Sequence, residues 1–289
     1  MNHARLGIWL MIATTFVFAV QDGLSRYLAS EYNTVLVVMI RYWFFAAFVV
    51  ALSASRKGGV RRVAATSQPV LQITRGVLLV AEICVMVIAF VKLGLVESHA
   101  VFTSYPLLIA ALSGPILGEK VGPRRWAAIG VGFVGVLIIL RPGFSVFAPE
   151  ALIPLLSALM FAVYGLLTRY VARKDSAETS FFWTGIAGAV AITLIGPFFW
   201  EPIIGNDWWV MGILCLTGAG GHFLLIKAYE VAEASTVQPF AYFQLVFAAS
   251  IGLTVFGETV DMWIVLGAGL IIGSGLFTLW RERQKLQEA

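Results

Sequence analysis

Charge is scarce in this chain. Asp, Glu, Lys and Arg make up 12% of its 289 residues, and apolar residues make up 60%, where a water-facing domain is about a quarter charged. A soluble core of this length would have too few charges to cover its outside, so lipid must solvate most of the surface. Cysteine is almost missing too. Cys84 and Cys215 both lie inside apolar runs and form no CxxC pair, so neither a disulfide framework nor a cysteine metal site is expected. With three histidines there is no convincing metal site of any kind, and no cofactor is expected. The sequence also lacks a Walker-type glycine loop with Lys, an HExxH helix, a GxSxG elbow and paired intramembrane aspartates. These absences argue against ATP-driven pumping and against an enzyme.

What is abundant is apolar sequence in lengths that cross a bilayer, which takes about 20 residues per helix. Such stretches run over 6–25, 34–54, 72–93, 97–117 and 125–141, then over 151–170, 179–199, 209–229, 234–256 and 262–280. The first of them follows His3 and Arg5 as a signal peptide would, but its counterpart in the second half marks it as a mature helix. Turn and charge signals such as Arg56-Lys57-Gly58-Gly59 and Gly122-Pro123-Arg124-Arg125 separate the stretches. With the N-terminus placed in the cytoplasm, sixteen of the 20 Lys and Arg fall on the cytoplasmic side, Arg75 among them. Arg26, Lys92 and Arg141 fall outside, and Arg41 sits within the second span. That bias predicts both termini inside. The basic residues form no stripe, which argues against a nucleic-acid partner.

The chain also repeats itself. Phe18-Ala19-Val20-Gln21-Asp22-Gly23-Leu24-Ser25-Arg26-Tyr27 ends the first span, and Phe161-Ala162-Val163-Tyr164-Gly165-Leu166-Leu167-Thr168-Arg169-Tyr170 ends the sixth. Six of ten positions are identical at a constant spacing of 143. Later, Gly118-Glu119 leads to Trp126-x3-Gly130-x-Gly132, and Gly257-Glu258 leads to Trp263-x3-Gly267-x-Gly269. Two matches in the same order point to duplication. Units of five spans, an odd number, enter the membrane from opposite sides and make an inverted repeat, an architecture that lets a central site face each side in turn. The predicted fold is an all-α integral membrane protein of ten transmembrane helices in two such units, 1–143 and 150–289.

Two five-span units, each with a Gly-Glu before its last span, resemble the EamA-type members of the drug/metabolite transporter superfamily. Length, span number and aromatic content are most similar to the YddG-type amino-acid exporters of bacterial inner membranes. The resemblance implies a basket-like bundle with a central cavity lined mainly by spans 1, 3, 4, 6, 8 and 9. It also implies export of aromatic or other neutral amino acids across that membrane.

An ionisable side chain at mid-span costs at least about 2.5–3.5 kcal/mol and is a functional candidate for that reason. Glu82 lies near the middle of the third span, as a proton carrier, a partner for a substrate ammonium, or a carboxyl held by a neighbouring helix. His222 follows Thr217-Gly218-Ala219-Gly220-Gly221 and is read as a carboxylate ligand or proton relay, or as a packing histidine. Ser98, Phe102 and Tyr105 share one helical face ahead of Pro106, and Gln238 and Tyr242 stand four apart around Pro239, with Gln244 nearby. Amides beside rings suit a zwitterion with an apolar body, although Tyr and Gln also tie helices together. Gln21 and Tyr164 occupy equivalent repeat positions, which predicts an asymmetric cavity. Trp183 is expected to face lipid, and Trp200, Trp208 and Trp209 to anchor at the interface. Arg41 either snorkels or pairs with an acid such as Asp22, and Glu119 and Glu258 are structural signatures of the repeat.

The expected partners are membrane lipid and a small molecule, an amino acid or similar metabolite, and the expected state is a monomer. A multidrug or other metabolite carrier is the rival within the class. A membrane scaffold or a lipid-modifying enzyme is the rival outside it.

Overall fold

The computed structural model describes residues 3–118, 122–140, 149–232 and 238–288. A backbone in lipid must satisfy its own polar groups, so apolar spans become helices. Among the described residues there are eleven α-helices, three 3-10 turns and no strand. The first half holds α1 (His3–Glu31), α2 (Thr34–Ala54), a short α3 (Gly59–Ala64), α4 (Pro69–Phe102), α5 (Tyr105–Leu117) and α6 (Pro123–Leu140). The second holds α7 (Leu152–Val171), α8 (Ala177–Ile195), α9 (Asp207–Val231), α10 (Phe243–Val255) and α11 (Met262–Glu288). Six stretches are long and apolar enough to cross a membrane, in α1, α2, α4, α7, α8 and α9. Four shorter apolar stretches accompany them: Tyr105–Leu117, Trp126–Leu140, Phe240–Val255 and Met262–Phe277.

The helix ends follow local chemistry. Asn33 caps α2, its side-chain oxygen accepting the Val35 N–H at 2.8 Å, and Ser176 caps α8 by accepting from Thr179 N–H at 3.1 Å. Proline opens α4 and α6, where its missing N–H costs nothing.

The middle of the first half departs from the predicted spans. α4 runs from Pro69 to Phe102, past the predicted end of the third span, and only Gly94 breaks it, at φ +85°. A second break at Thr103–Ser104 separates α4 from α5. Pro106, the second residue of α5, has no N–H to continue an unbroken helix. The predicted fourth span is therefore two helical pieces, 95–102 and 105–117.

Helices of one half pack against helices of the other. α1 lies on α9 and α10, α4 on α7 and α8, α2 on α8, α5 on α7, and α6 on α11. Small residues bring α6 and α11 together: a Cβ on Gly135 would sit 2.6 Å from the Gly267 carbonyl oxygen, and one on Gly267 would sit 2.5 Å from that of Gly135. The largest apolar core joins α2, α4, α8 and α9 around Tyr42, Phe90, Met39 and Leu214. Trp200, Trp208 and Trp209 are exposed, as interface anchors would be. Trp183 is not a lipid-facing ring. Its indole N–H donates to the Ala64 carbonyl at 3.0 Å, tying α8 to the end of α3.

Candidate functional site

Two small hollows lie between the halves, enclosing about 10 and 20 Å³. The first lies among α2, α4 and α9, walled by Arg41, Phe45, Ile83, Gly218 and His222. Arg41 is 8% exposed, so it does not snorkel. It forms no ion pair with Asp22 or with any other carboxylate among the described residues. It lines this hollow together with His222 and Cys215. His222 Nδ1 donates to the Gly218 carbonyl one turn back, at 3.0 Å, which fixes the neutral tautomer and leaves Nε2 as an acceptor. Its ring sits among Phe18, Phe45 and Phe181. Gln21 reaches the same region from α1. Its Oε1 is buried without a hydrogen-bond partner.

The second hollow lies between the α4–α5 break and the 3-10 turn at Gln238–Tyr242 that leads into α10. His99, Phe102, Tyr105, Tyr242 and Gln244 wall it. Asp22, one residue on from Gln21, approaches it from α1. The Asp22 carboxylate accepts from Gln244 Nε2 at 3.1 Å and lies 3.2 Å from His99 Nε2. The His99 contact is electrostatic, since the ring nitrogen is not aligned to hydrogen-bond the oxygen. His99 itself is stacked on Phe90, ring centroids 5.2 Å apart.

From this hollow a run of aromatic rings leads through the bundle. Phe102 meets Tyr105 at 5.3 Å and Phe161 at 5.4 Å, Tyr105 meets Phe161 edge-on at 4.9 Å, and Phe161 meets Tyr164 at 5.9 Å. The run ends at Arg75, whose guanidinium donates to the Tyr164 hydroxyl at 3.1 Å and to Thr168 Oγ1 at 3.2 Å. Arg75 is 1% exposed. The charge tally placed it on the cytoplasmic side, yet it is a helix-interior residue held also by Gln72 and the Ser180 carbonyl. Gln72 passes the contact on to Asp175 at 2.8 Å, in the turn between α7 and α8. Burial pulls the Asp175 carboxyl upward in pKa, but hydrogen bonds from Thr66, Gln72 and Ser67 outweigh that and hold it below its usual range.

The predicted site residues divide. Phe102, Tyr105, Tyr164, Gln21 and His222 all border a hollow or the ring run. Glu82 does not wall either hollow; its Oε1 accepts from Ser157 Oγ at 2.6 Å, which ties α4 to α7. Ser98 is fully buried one residue away from the wall-forming His99. The Tyr242 ring walls the second hollow, but its hydroxyl is aimed at Gly275 on α11, where a Cβ would lie 1.9 Å away. The side chain of Gln238 lies outside the described residues, as does Glu119. His99, Arg75 and Phe161 were missed by sequence reasoning. Phe161 stood in the repeat motif as a match to Phe18, a signal that marked duplication without marking exposure to a cavity. Among the described residues, no three His, Cys, Asp or Glu gather to hold a metal ion.

Glu258 has a precise structural task. Its two carboxylate oxygens accept the Leu95 and Val96 N–H groups, each at 2.8 Å, just after the break at Gly94. They cap the restarted helix as an acidic N-cap would. Arg26 forms an ion pair with the same carboxylate and lies over the Phe256 ring at 4.0 Å. Gly94 permits the approach, because a Cβ there would be 2.7 Å from the carboxyl carbon.

Comparison with known proteins gives a consistent family. Residues 5–141 and 149–280 each match the EamA-like transporter family. The S-adenosylmethionine uptake transporter of Rickettsia prowazekii (strain Madrid E) is 26% identical over 283 residues, covering 97% of this chain and 94% of that protein. The riboflavin transporter of Vibrio cholerae is 28% identical over 301 residues, with 99% and 97% covered. The pseudopaline exporter CntI of Pseudomonas aeruginosa is 24% identical over 270 residues, with 93% and 94% covered. A solved crystal structure aligns over 98% of both chains with a TM-score of 0.65 at 19% identity, a likeness of fold.

Proposed function

The chain belongs to the EamA-like transporter family, a transporter and not an enzyme, and we propose that it carries a metabolite with an amino-acid head and an aromatic or heteroaromatic body. The observation that carries this reading is the ring run Phe102–Tyr105–Phe161–Tyr164 inside the bundle, with Asp22 and His99 at one end and Arg75 at the other. Rings stack on a flat body, and charged groups in a low-dielectric interior select a charged head. S-adenosylmethionine, carried by one relative, combines both parts. Aromatic amino acids are the smaller members of the same chemical class, and their export is the narrower form of the reading.

In this reading the chain works by alternating access. Two inverted five-span units of 1–143 and 150–289 would exchange which side the central site faces. The crosswise packing of α1 on α9, α4 on α7, α2 on α8 and α6 on α11 supports it, since each contact joins spans from opposite halves. The setting is a bacterial inner membrane with both termini cytoplasmic and the chain acting as a monomer. The direction of net flux follows the gradients: two of the relatives are named for uptake or transport and one for export.

Purified protein in liposomes tests the substrate class. Labelled S-adenosylmethionine and labelled phenylalanine are expected to enter saturably and to compete with each other, and an imposed proton gradient to leave Glu82→Gln and the unaltered protein alike. Flux of riboflavin or of cationic dyes with no flux of either amino acid would overturn the reading.

A further inference from the structure

Two opposite charges stand in the interior of this protein without neutralising each other. Asp22 follows Gln21 on α1, and Gln21 and Arg41 of α2 meet beside Gly218. In a low-dielectric interior, such a pair gains most by closing into a salt bridge. It has not closed: Asp22 is held by Gln244 and lies beside His99, and Arg41 has no carboxylate partner among the described residues. A buried arginine left unpaired in a membrane protein marks a ligand or a path.

The atoms around Gly218 say what the ligand offers. A Cβ on Gly218 would lie 3.2 Å from Arg41 Nε and 3.3 Å from Gln21 Oε1. A donor-rich cation and a buried acceptor with no hydrogen-bond partner therefore converge on one glycine and do not bond each other. They are no further apart than the sum of those two distances. An α-carbon that carries both a carboxylate and an ammonium spans that gap: the carboxylate meets the planar guanidinium, and the ammonium meets Gln21 Oε1 under the field of Asp22. A side chain at Gly218 would crowd both groups.

We infer that Arg41 and Gln21, with Asp22 behind them, form the receptor for the zwitterionic α-amino-acid head of the transported molecule, Arg41 binding its carboxylate. This rests on the amino-acid reading proposed above and adds the residues that read the head.

The test compares S-adenosylmethionine with its decarboxylated analogue, which keeps the amine and loses the carboxylate, as substrates of the full chain in liposomes. The unaltered protein is expected to show a KM lower for the carboxylate-bearing compound by roughly 10- to 100-fold, the range for a hydrogen bond to a charged group. Arg41→Gln is expected to raise the KM for S-adenosylmethionine to that of the analogue and to leave the analogue's own KM unchanged. Arg41→Lys keeps the charge and is expected to retain part of the preference, which separates loss of recognition from failure to fold. If Arg41→Gln raises both KM values by one factor, or if the unaltered protein does not distinguish the two compounds, Arg41 is a packing residue and the inference is overturned. If neither compound crosses while riboflavin does, the amino-acid reading falls first and this inference with it.

Discussion

In the proposed function the two buried acids take different parts, one tying helices together and one acting on the substrate. Glu82 and Asp22 are both membrane-embedded carboxyls, yet their settings differ. Glu82 is 4% exposed and accepts from Ser157 across the α4–α7 contact. Asp22 stands beside His99 at the edge of the second hollow. Glu82→Gln keeps an acceptor for Ser157 and is expected to change transport KM by no more than about twofold. Asp22→Asn removes the negative charge behind Gln21 and is expected to raise the KM of an ammonium-bearing substrate by roughly tenfold or more. Initial uptake rates of the two variants check this, and a larger effect at Glu82 than at Asp22 would reverse the assignment. The candidate face Ser98–Phe102–Tyr105 was legible by its spacing, and Phe102 and Tyr105 line the second hollow. Ser98 does not: it is fully buried within α4 and lines neither hollow. His99, one residue further round, faces the hollow in its place.

At the scale of an element, the joint between α4 and its continuation depends on three residues far apart in sequence. Gly94 takes the left-handed conformation that lets the chain turn, Glu258 caps the helix that restarts after it, and Arg26 balances the cap's charge. Glu258→Ala strands two N–H groups and a largely buried arginine, and is expected to lower stability by about 2–4 kcal/mol. Gly94→Ala is expected to do comparable harm, because its methyl would collide with the carboxyl. Since both act on one contact, the double variant should lose less than the sum of the two single losses. Thermal unfolding in detergent measures this, and strict additivity would show that Gly94 and Glu258 do not share a joint. The Gly-Glu pairs were visible in the sequence as signs of duplication, and both their glycines adopt positive φ, 76° at Gly118 and 64° at Gly257. That Glu258 caps Leu95 and Val96 was not visible, because nothing local to either segment encodes a contact between halves.

On the scale of the whole molecule, composition alone gave the helical membrane class, since so few charges exclude a water-facing surface. Cross-half packing is tertiary information that the repeat hinted at only through its order. Arg75 shows the limit of charge counting: a side of the membrane says nothing of burial, and Tyr164, Thr168 and Gln72 hold it fully inside. Substrate chemistry was the least legible part, because it depends on which of many aromatic and polar residues meet in space. The proposed function requires a carrier whose interior site faces one side at a time. Solute counterflow measures that directly, with liposomes preloaded with unlabelled S-adenosylmethionine and challenged with a labelled trace outside. A carrier is expected to give transient accumulation of label above its equilibrium level and rates that saturate with substrate. Rates that rise in proportion to concentration, with no response to preloading, would contradict the account and describe an open pore.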